Sequence, residues 1–263
     1  MKKIFDSDYI KNEFRNIAEA LKDNVHLFLL GGGAMSYYDL KTATKDADVV
    51  LRHDGRLKPF LISLQKIGYR KLEDENIRRI VYEKEDGFVI DIFKGKISNG
   101  MALSEGMCSR SEKMFTRGNL TVSVLSPEDI FILKSITSRK RDRDDMHALF
   151  RHGLDFEVIK NEIISQSKKL DDKAWIAFFL TGIDELKERY GIEIPYYDDF
   201  YDLACDEVLK YRILELVRSK NPSIEELIEN IDDDEENIRK AVEELVSTGE
   251  IEKEGYRLTY SSA

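Results

Sequence analysis

The stretch Leu30-Gly31-Gly32-Gly33-Ala34-Met35 is followed, after a short polar interval, by Thr44-Lys45-Asp46-Ala47-Asp48-Val49-Val50. The first segment closes an apolar run, residues 25–30, of strand length, and turns on glycines into a short helical pattern through Ala34, Met35 and Tyr37. The second segment opens a new strand. Period-two alternation puts Asp46 and Asp48 on one side of it and Ala47, Val49 and Leu51 on the other. A third aspartate, Asp91, sits inside another apolar strand, Val89-Ile90-Asp91-Ile92. Carboxylates gathered in this way are costly unless a cation neutralises them. Hard oxygen donors suit Mg²⁺, which binds a few carboxylates and keeps positions open for substrate phosphates. The pattern predicts a phosphoryl or nucleotidyl transfer site with Asp46, Asp48 and Asp91 as metal ligands.

The glycine turn fits the same chemistry. Gly31 and Gly32 allow a tight strand-to-helix turn, and the amides that follow can face phosphate oxygens, with Ser36 adding a hydroxyl donor. A second cationic feature lies downstream. Ser126-Pro127-Glu128-Asp129 has the cap, the early proline and the first-turn acids of a helix start. It leads into a string containing Lys134, Arg139, Lys140, Arg141, Asp142, Arg143 and Asp145. Lys134 can act as a point charge on a triphosphate and Arg139 or Arg141 as a bidentate clamp. The competing reading is a solvated turn held by Arg–Asp pairs.

Composition limits the alternatives. The 263 residues suffice for one sizeable core and an appended module, and the 35% charged fraction exceeds the usual ~25%. A net charge of −10 argues against a general nucleic-acid binder. Cys108 and Cys205 are too few and too far apart for a disulfide framework or a thiolate site. No apolar run approaches the ~18 residues of a membrane span, and Met1-Lys2-Lys3-Ile4-Phe5 lacks a signal-peptide core, so a cytoplasmic protein is expected. His26, His53, His147 and His152 stand apart from the cysteines and read as structural or surface residues.

Around these motifs the pattern predicts a first helix capped by Ser7, a helix over 57–67, a hairpin of strands 77–82 and 88–93, and a strand over 120–125. Helices follow to about His152 and again over 155–190, then a connector over 191–203. Tyr196, Tyr197, Phe200 and Tyr201 read there as packing anchors rather than base-stacking platforms. The last sixty residues predict three helices and a terminal hairpin, the pattern of a winged helix-turn-helix. The fold class expected is α/β (α+β): a small mixed-sheet core over 1–153, a helical extension over 154–203 and a winged module over 204–263.

The glycine segment, the Asp46–Asp48 segment and the Asp91 strand resemble the signature of the DNA polymerase β-like nucleotidyltransferase superfamily. The string from Ser126 to Phe150 resembles the prokaryotic branch that contains abortive-infection-type nucleotidyltransferase toxins, known from toxin-antitoxin systems. The resemblance implies a small mixed sheet and two Mg²⁺ ions, or Mn²⁺ in their place. By it, Asp46 and Asp48 would hold the metals, Gly31, Gly32 and Ser36 the nucleotide phosphates, and Asp91 would complete the metal site and help to deprotonate the acceptor. Two positions depart from the pattern. Lys41 and Thr42 stand where relatives often carry an arginine, and Gly33-Ala34 replaces a common serine.

The function expected is transfer of a nucleoside monophosphate from an NTP such as ATP to a hydroxyl on an RNA 3′ end, a protein or a small molecule. The alternative is a winged-helix transcriptional regulator whose transferase domain senses nucleotide. Asp232-Asp233-Asp234-Glu235-Glu236 opens the helix that would read DNA, where phosphates would be repelled. A protein partner or a second copy of the chain is therefore expected on that module in preference to duplex DNA.

Overall fold

The apolar run at 25–30 is an interior strand of the sheet, and it lacks alternation because both its faces are covered. The computed structural model describes residues 4–52, 54–73, 79–94, 97, 100–168 and 174–261. His53 and the expected strand start at Ile77 lie outside these residues. The chain divides into two compact units, Met1–Pro195 and Tyr196–Ala263.

In the first unit, β1 (Val25–Leu30) pairs antiparallel with β2 (Asp46–Leu51) and parallel with β7 (Leu120–Val124). The sheet continues through β5 (Val89–Phe93), β4 (Arg79–Glu83) and β3 (Arg70–Leu72) on one side, and β6 (Glu112–Arg117) on the other. The order is β3-β4-β5-β2-β1-β7-β6, a seven-stranded mixed sheet. The α/β class is the one expected. The hairpin turns at Gly87, whose φ of 89° suits glycine. Strands β3 and β6 were not legible: Arg70, Lys71 and Leu72 are exposed, as is most of β6, so neither edge carries a one-face apolar signal.

Helix α1 (Ser7–Ala20) is capped by Asp6, which accepts from the Tyr9 amide; Ser7, the expected cap, is its first helical residue. Buried Glu13 on α1 accepts from Lys84 Nζ at 2.8 Å and Tyr69 Oη at 2.8 Å, tying the helix to the hairpin side of the sheet. Helices α2 (Gly31–Tyr37), α3 (Leu57–Lys66) and α4 (Glu105–Arg110) connect the strands. Helices α5 (Pro127–Ser135), α6 (Lys140–Gly153), α7 (Phe156–Ser167) and α8 (Ala174–Tyr190) complete the unit. Ser126 caps α5, with Pro127 in the first turn.

The second unit begins earlier than its sequence pattern suggested, because Tyr197 to Leu203, expected in a connector, form the first turns of α9 (Tyr197–Lys220). Helices α10 (Ile224–Asn230) and α11 (Glu235–Ser247) and the hairpin β8 (Ile251–Glu254) and β9 (Arg257–Tyr260) follow. Ser223 and Glu226 form a reciprocal capping box at α10. Ile213, Val217, Leu227, Ile238, Val242, Leu245 and Leu258 share one core. No helix among the described residues is long and apolar enough to cross a membrane.

Helix α8 crosses α5 at Gly182. A β-carbon there would lie 2.1 Å from the carbonyl oxygen of Ser135. Helix propensity alone favours alanine over glycine by about 1 kcal/mol, but backbone cannot yield as a flexible side chain can, and overpacking costs about 1–3 kcal/mol or more. The clash should win. Gly182→Ala is expected to lower the urea midpoint, and an unchanged or higher midpoint would show that the two helices can separate freely.

Candidate active site

Parallel pairing of β2 with β5 sets Asp48 directly beside Asp91 and Asp46 beside Val89. Asp46, two residues before Asp48, shares its face of the sheet. On the other flank, antiparallel pairing sets Asp48 beside Leu30, the last residue of β1. The glycine turn therefore runs over the carboxylates. Gly31 has φ 63°, and a β-carbon on it would fall 2.1 Å from Asp48 Oδ2. A β-carbon on Gly32 would fall 2.7 Å from Thr44 Oγ1. Close approach of the aspartate and threonine side chains, as much as the turn, is what requires glycine here. Thr44 Oγ1 in turn donates to Asp46 Oδ1 at 3.2 Å.

The electrostatics follow from this crowding. Asp48 is pushed up to about 8 by burial first and then by the charges of Asp46 and Asp91, while Lys134 and Arg139 pull it the other way. Lys134 and Arg139, far away in sequence, thus act on the same site. Lys134 is only 7% exposed, and its Nζ donates to Asp142 Oδ1 at 3.0 Å and Asp145 Oδ2 at 2.6 Å. Asp145 also receives Lys41, whose Nζ lies 3.0 Å from both carboxylate oxygens and 3.9 Å from the β-carbon position of Gly32. Burial works against ionisation of Asp142, yet Lys134, the Thr137 hydroxyl and Arg139 hold it below the ordinary carboxylate range.

The remaining expected residues divide by exposure. Arg139, at the start of α6, and Arg141 are exposed. Ser36 is buried, and its hydroxyl donates to the Gly32 carbonyl oxygen at 3.1 Å, which uses its proton inside α2. Asp91 is buried and pairs with Arg79 through Nη1–Oδ2 at 3.1 Å. His26 Nε2 lies 2.9 Å from Ser123 Oγ, and His147 stacks on Tyr190. Among the described residues, no three His, Cys, Asp or Glu side chains already converge as a ligand set.

Sequence reading did not assign the roles of four contributors. Thr44 and Lys41 lie beside the glycine turn, Arg79 reaches Asp91 from the neighbouring strand, and Arg143 is buried scaffold. Its guanidinium donates to the carbonyl oxygens of Lys134 at 3.0 Å and Thr137 at 2.7 Å and to Glu185 on α8 at 2.7 Å. The position of Lys41 near the glycines was the one available signal, as a cation standing where relatives carry another.

A family model described as nucleotidyltransferase of unknown function (DUF6036) matches residues 9–190. The chain belongs to this family. The nucleotidyltransferase expected from the glycine and aspartate motifs agrees with this family's description, and the match extends beyond them through α8. No curated protein matches the chain in sequence. Similar solved structures include the lincosamide antibiotic adenylyltransferase LnuA with lincomycin bound, at 16% identity over 54% of this chain and 92% of that one, with a TM-score of 0.38. The antibiotic-resistance factor ANT(2″)-Ia in solution is similar at 12% identity over 70% of this chain and 100% of that one, with a TM-score of 0.44.

Two tests follow from the charges. A carboxyl raised from 3.8 to about 8 by folding costs stability once it must ionise; the cost is absent below pH ~4 and grows until the folded value is passed. In metal-free protein, Asp48→Asn should therefore melt higher than wild type at pH 7–8, with the gain shrinking toward pH 4. Each kcal/mol relieved corresponds to about 2–4 °C, and identical melts across that range would show that Asp48 bears no such burden. Lys134→Ala should instead destabilise the protein by about 3 kcal/mol, since it strands Asp142 and part of Asp145 without their buried partner. A urea titration reads this directly; a wild-type midpoint would place Lys134 in solvent.

Proposed function

We propose that the protein is a Mg²⁺-dependent nucleotidyltransferase that moves a nucleoside monophosphate from an NTP to an acceptor hydroxyl and releases pyrophosphate. The observation that carries this reading is the juxtaposition of Asp48 and Asp91 across β2 and β5, with Gly31 lying on Asp48. Family membership supplies the reaction class. The donor set suits a hard divalent cation, which would relieve the repulsion that lifts Asp48. In this reading Asp46, Asp48 and Asp91 hold two such ions, which supply charge neutralisation to the triphosphate and the leaving pyrophosphate.

The chain's own residues then do the positioning. Gly31 and Gly32 let the turn lie close over Asp48 and Thr44, and the backbone amides that follow would face the phosphates. Asp91 takes the proton of the acceptor hydroxyl, whose oxygen attacks the α-phosphorus in line as the bond to pyrophosphate breaks. Lys134 acts through its field, because its ammonium is already engaged by Asp142 and Asp145. Exposed Arg139 and Arg141 are, in this reading, the side chains that would meet the β- and γ-phosphates directly. Residues 1–153 carry this chemistry, with α7 and α8 packed against them. The acceptor hydroxyl belongs to an RNA 3′ end, a protein or a small molecule, and labelling of cell-extract fractions with each radioactive NTP and Mg²⁺ identifies which. Asp46→Asn and Asp48→Asn should each lower transfer by about a hundredfold or more at unchanged fold; wild-type turnover in either would sink the assignment.

The second unit we read as a winged helix-turn-helix that docks protein rather than DNA. Asp232 to Glu236 are exposed at the start of α11, and Arg239 is paired with Glu235. Counterion release, which drives DNA affinity, needs cations at that surface. The full-length chain titrated with duplex DNA at ~150 mM salt should show no sub-micromolar binding. Tight, sequence-selective binding there would favour the transcription-regulator reading instead.

A further inference from the structure

Asp91 is a buried acid in the middle of a strand whose neighbours, Ile90 and Ile92, are fully buried. Arg79, at the start of the adjacent strand β4, pairs with it. Antiparallel register pairs Val81 with Asp91 and Arg79 with Phe93, so Arg79 lies on the same sheet face, one diagonal step from Asp91. The guanidinium donates to Asp91 Oδ2 through Nη1 at 3.1 Å. The side chains are 28% and 9% exposed, so the pair sits where solvent gives way to the sheet interior. Packing alone does not call for such a pair, since apolar residues of similar volume commonly replace a buried ion pair without loss of stability.

We propose that Arg79 is a positioning residue of the metal site: it holds Asp91 by Oδ2 and so fixes the carboxylate plane from which Asp91 meets a divalent cation. This rests on the reading of Asp91 as a metal ligand. A carboxylate has two oxygens, and one side chain can bridge a guanidinium and a metal ion. Anchoring matters more here than at an isolated ligand, because Asp48 lies directly beside Asp91 and Asp46 shares the face. Three like charges tend to turn one another away, and a fixed cation on the far side of Asp91 opposes that. Groups that orient metal ligands in this manner typically contribute a tenfold to hundredfold factor in metal affinity.

The test is direct Mn²⁺ binding to the full-length protein, followed by the electron paramagnetic resonance of the free ion, with no nucleotide present. Arg79→Gln is expected to bind Mn²⁺ about tenfold to hundredfold more weakly than wild type. In steady-state assays it should lower kcat while leaving the KM for NTP nearly unchanged, because it acts through a ligand and not on the triphosphate. Wild-type or tighter Mn²⁺ binding in Arg79→Gln would overturn the proposal and leave Arg79 as a counter-ion of the folded chain. Asp48→Asn is measured alongside. If it too binds Mn²⁺ like wild type, the metal site itself is misassigned and the role of Arg79 falls with it. Metal-free melting checks each fold first. Should Arg79→Gln fail to fold, Arg79→Lys takes its place: it keeps the charge without the planar guanidinium, a smaller loss is expected, and wild-type affinity there would equally refute the proposal.

Discussion

Like charges held side by side on a buried sheet are the constraint around which this molecule is arranged. Asp48 and Asp91 are neighbours because β2 and β5 run parallel in one particular register. A one-residue slip would turn these carboxylates to the opposite face. That register is secured by the apolar residues alternating with them, Ala47, Val49, Ile90 and Ile92, all fully buried. The core thus forces the acids together, and in the proposed function these acids hold the metal ions. A protein under selection for stability alone would have no reason to keep them there.

The cations around this site are divided between two tasks. Lys134 and Arg143 are interior struts. One bridges Asp142 and Asp145; the other closes the C-terminal carbonyls of α5 and ties them to α8. Arg139 and Arg141 remain at the surface, where a charged substrate can reach them. A basic string in an acidic chain is therefore not one feature. Buried Lys134 and exposed Arg139 shape the field at Asp48, and Arg141 is exposed. The close crossing of α5 and α8 at Gly182 supports the same strut from behind.

The second unit is organised on separate principles. Its core is a single apolar cluster from α9, α10, α11 and the hairpin, which includes Ile238, Val242 and Leu245 as their helical spacing implied. Its surface acids, concentrated around the start of α11, contribute nothing to that core.

By itself, the sequence determined the strands that carry Asp46, Asp48 and Asp91, the glycine turn, the capped start of α5, and the helix-helix-helix-hairpin order of the C-terminal unit. Each of these is a local pattern, written in alternation, capping residues or turn glycines, and local patterns survive without tertiary context. Edge strands β3 and β6 were illegible because polar, exposed edges carry no one-face apolar signal. Only the tertiary structure decided that Asp48 faces Asp91 and that Gly31 and Gly32 are required by Asp48 and Thr44. It also decided that Lys134 is buried, that Lys41 joins its network, and that Arg79 pairs with Asp91. The reason is physical: ion pairs and close approaches form between residues far apart in the chain. Whether a given lysine is a strut or a ligand depends on which carboxylates the fold brings to it.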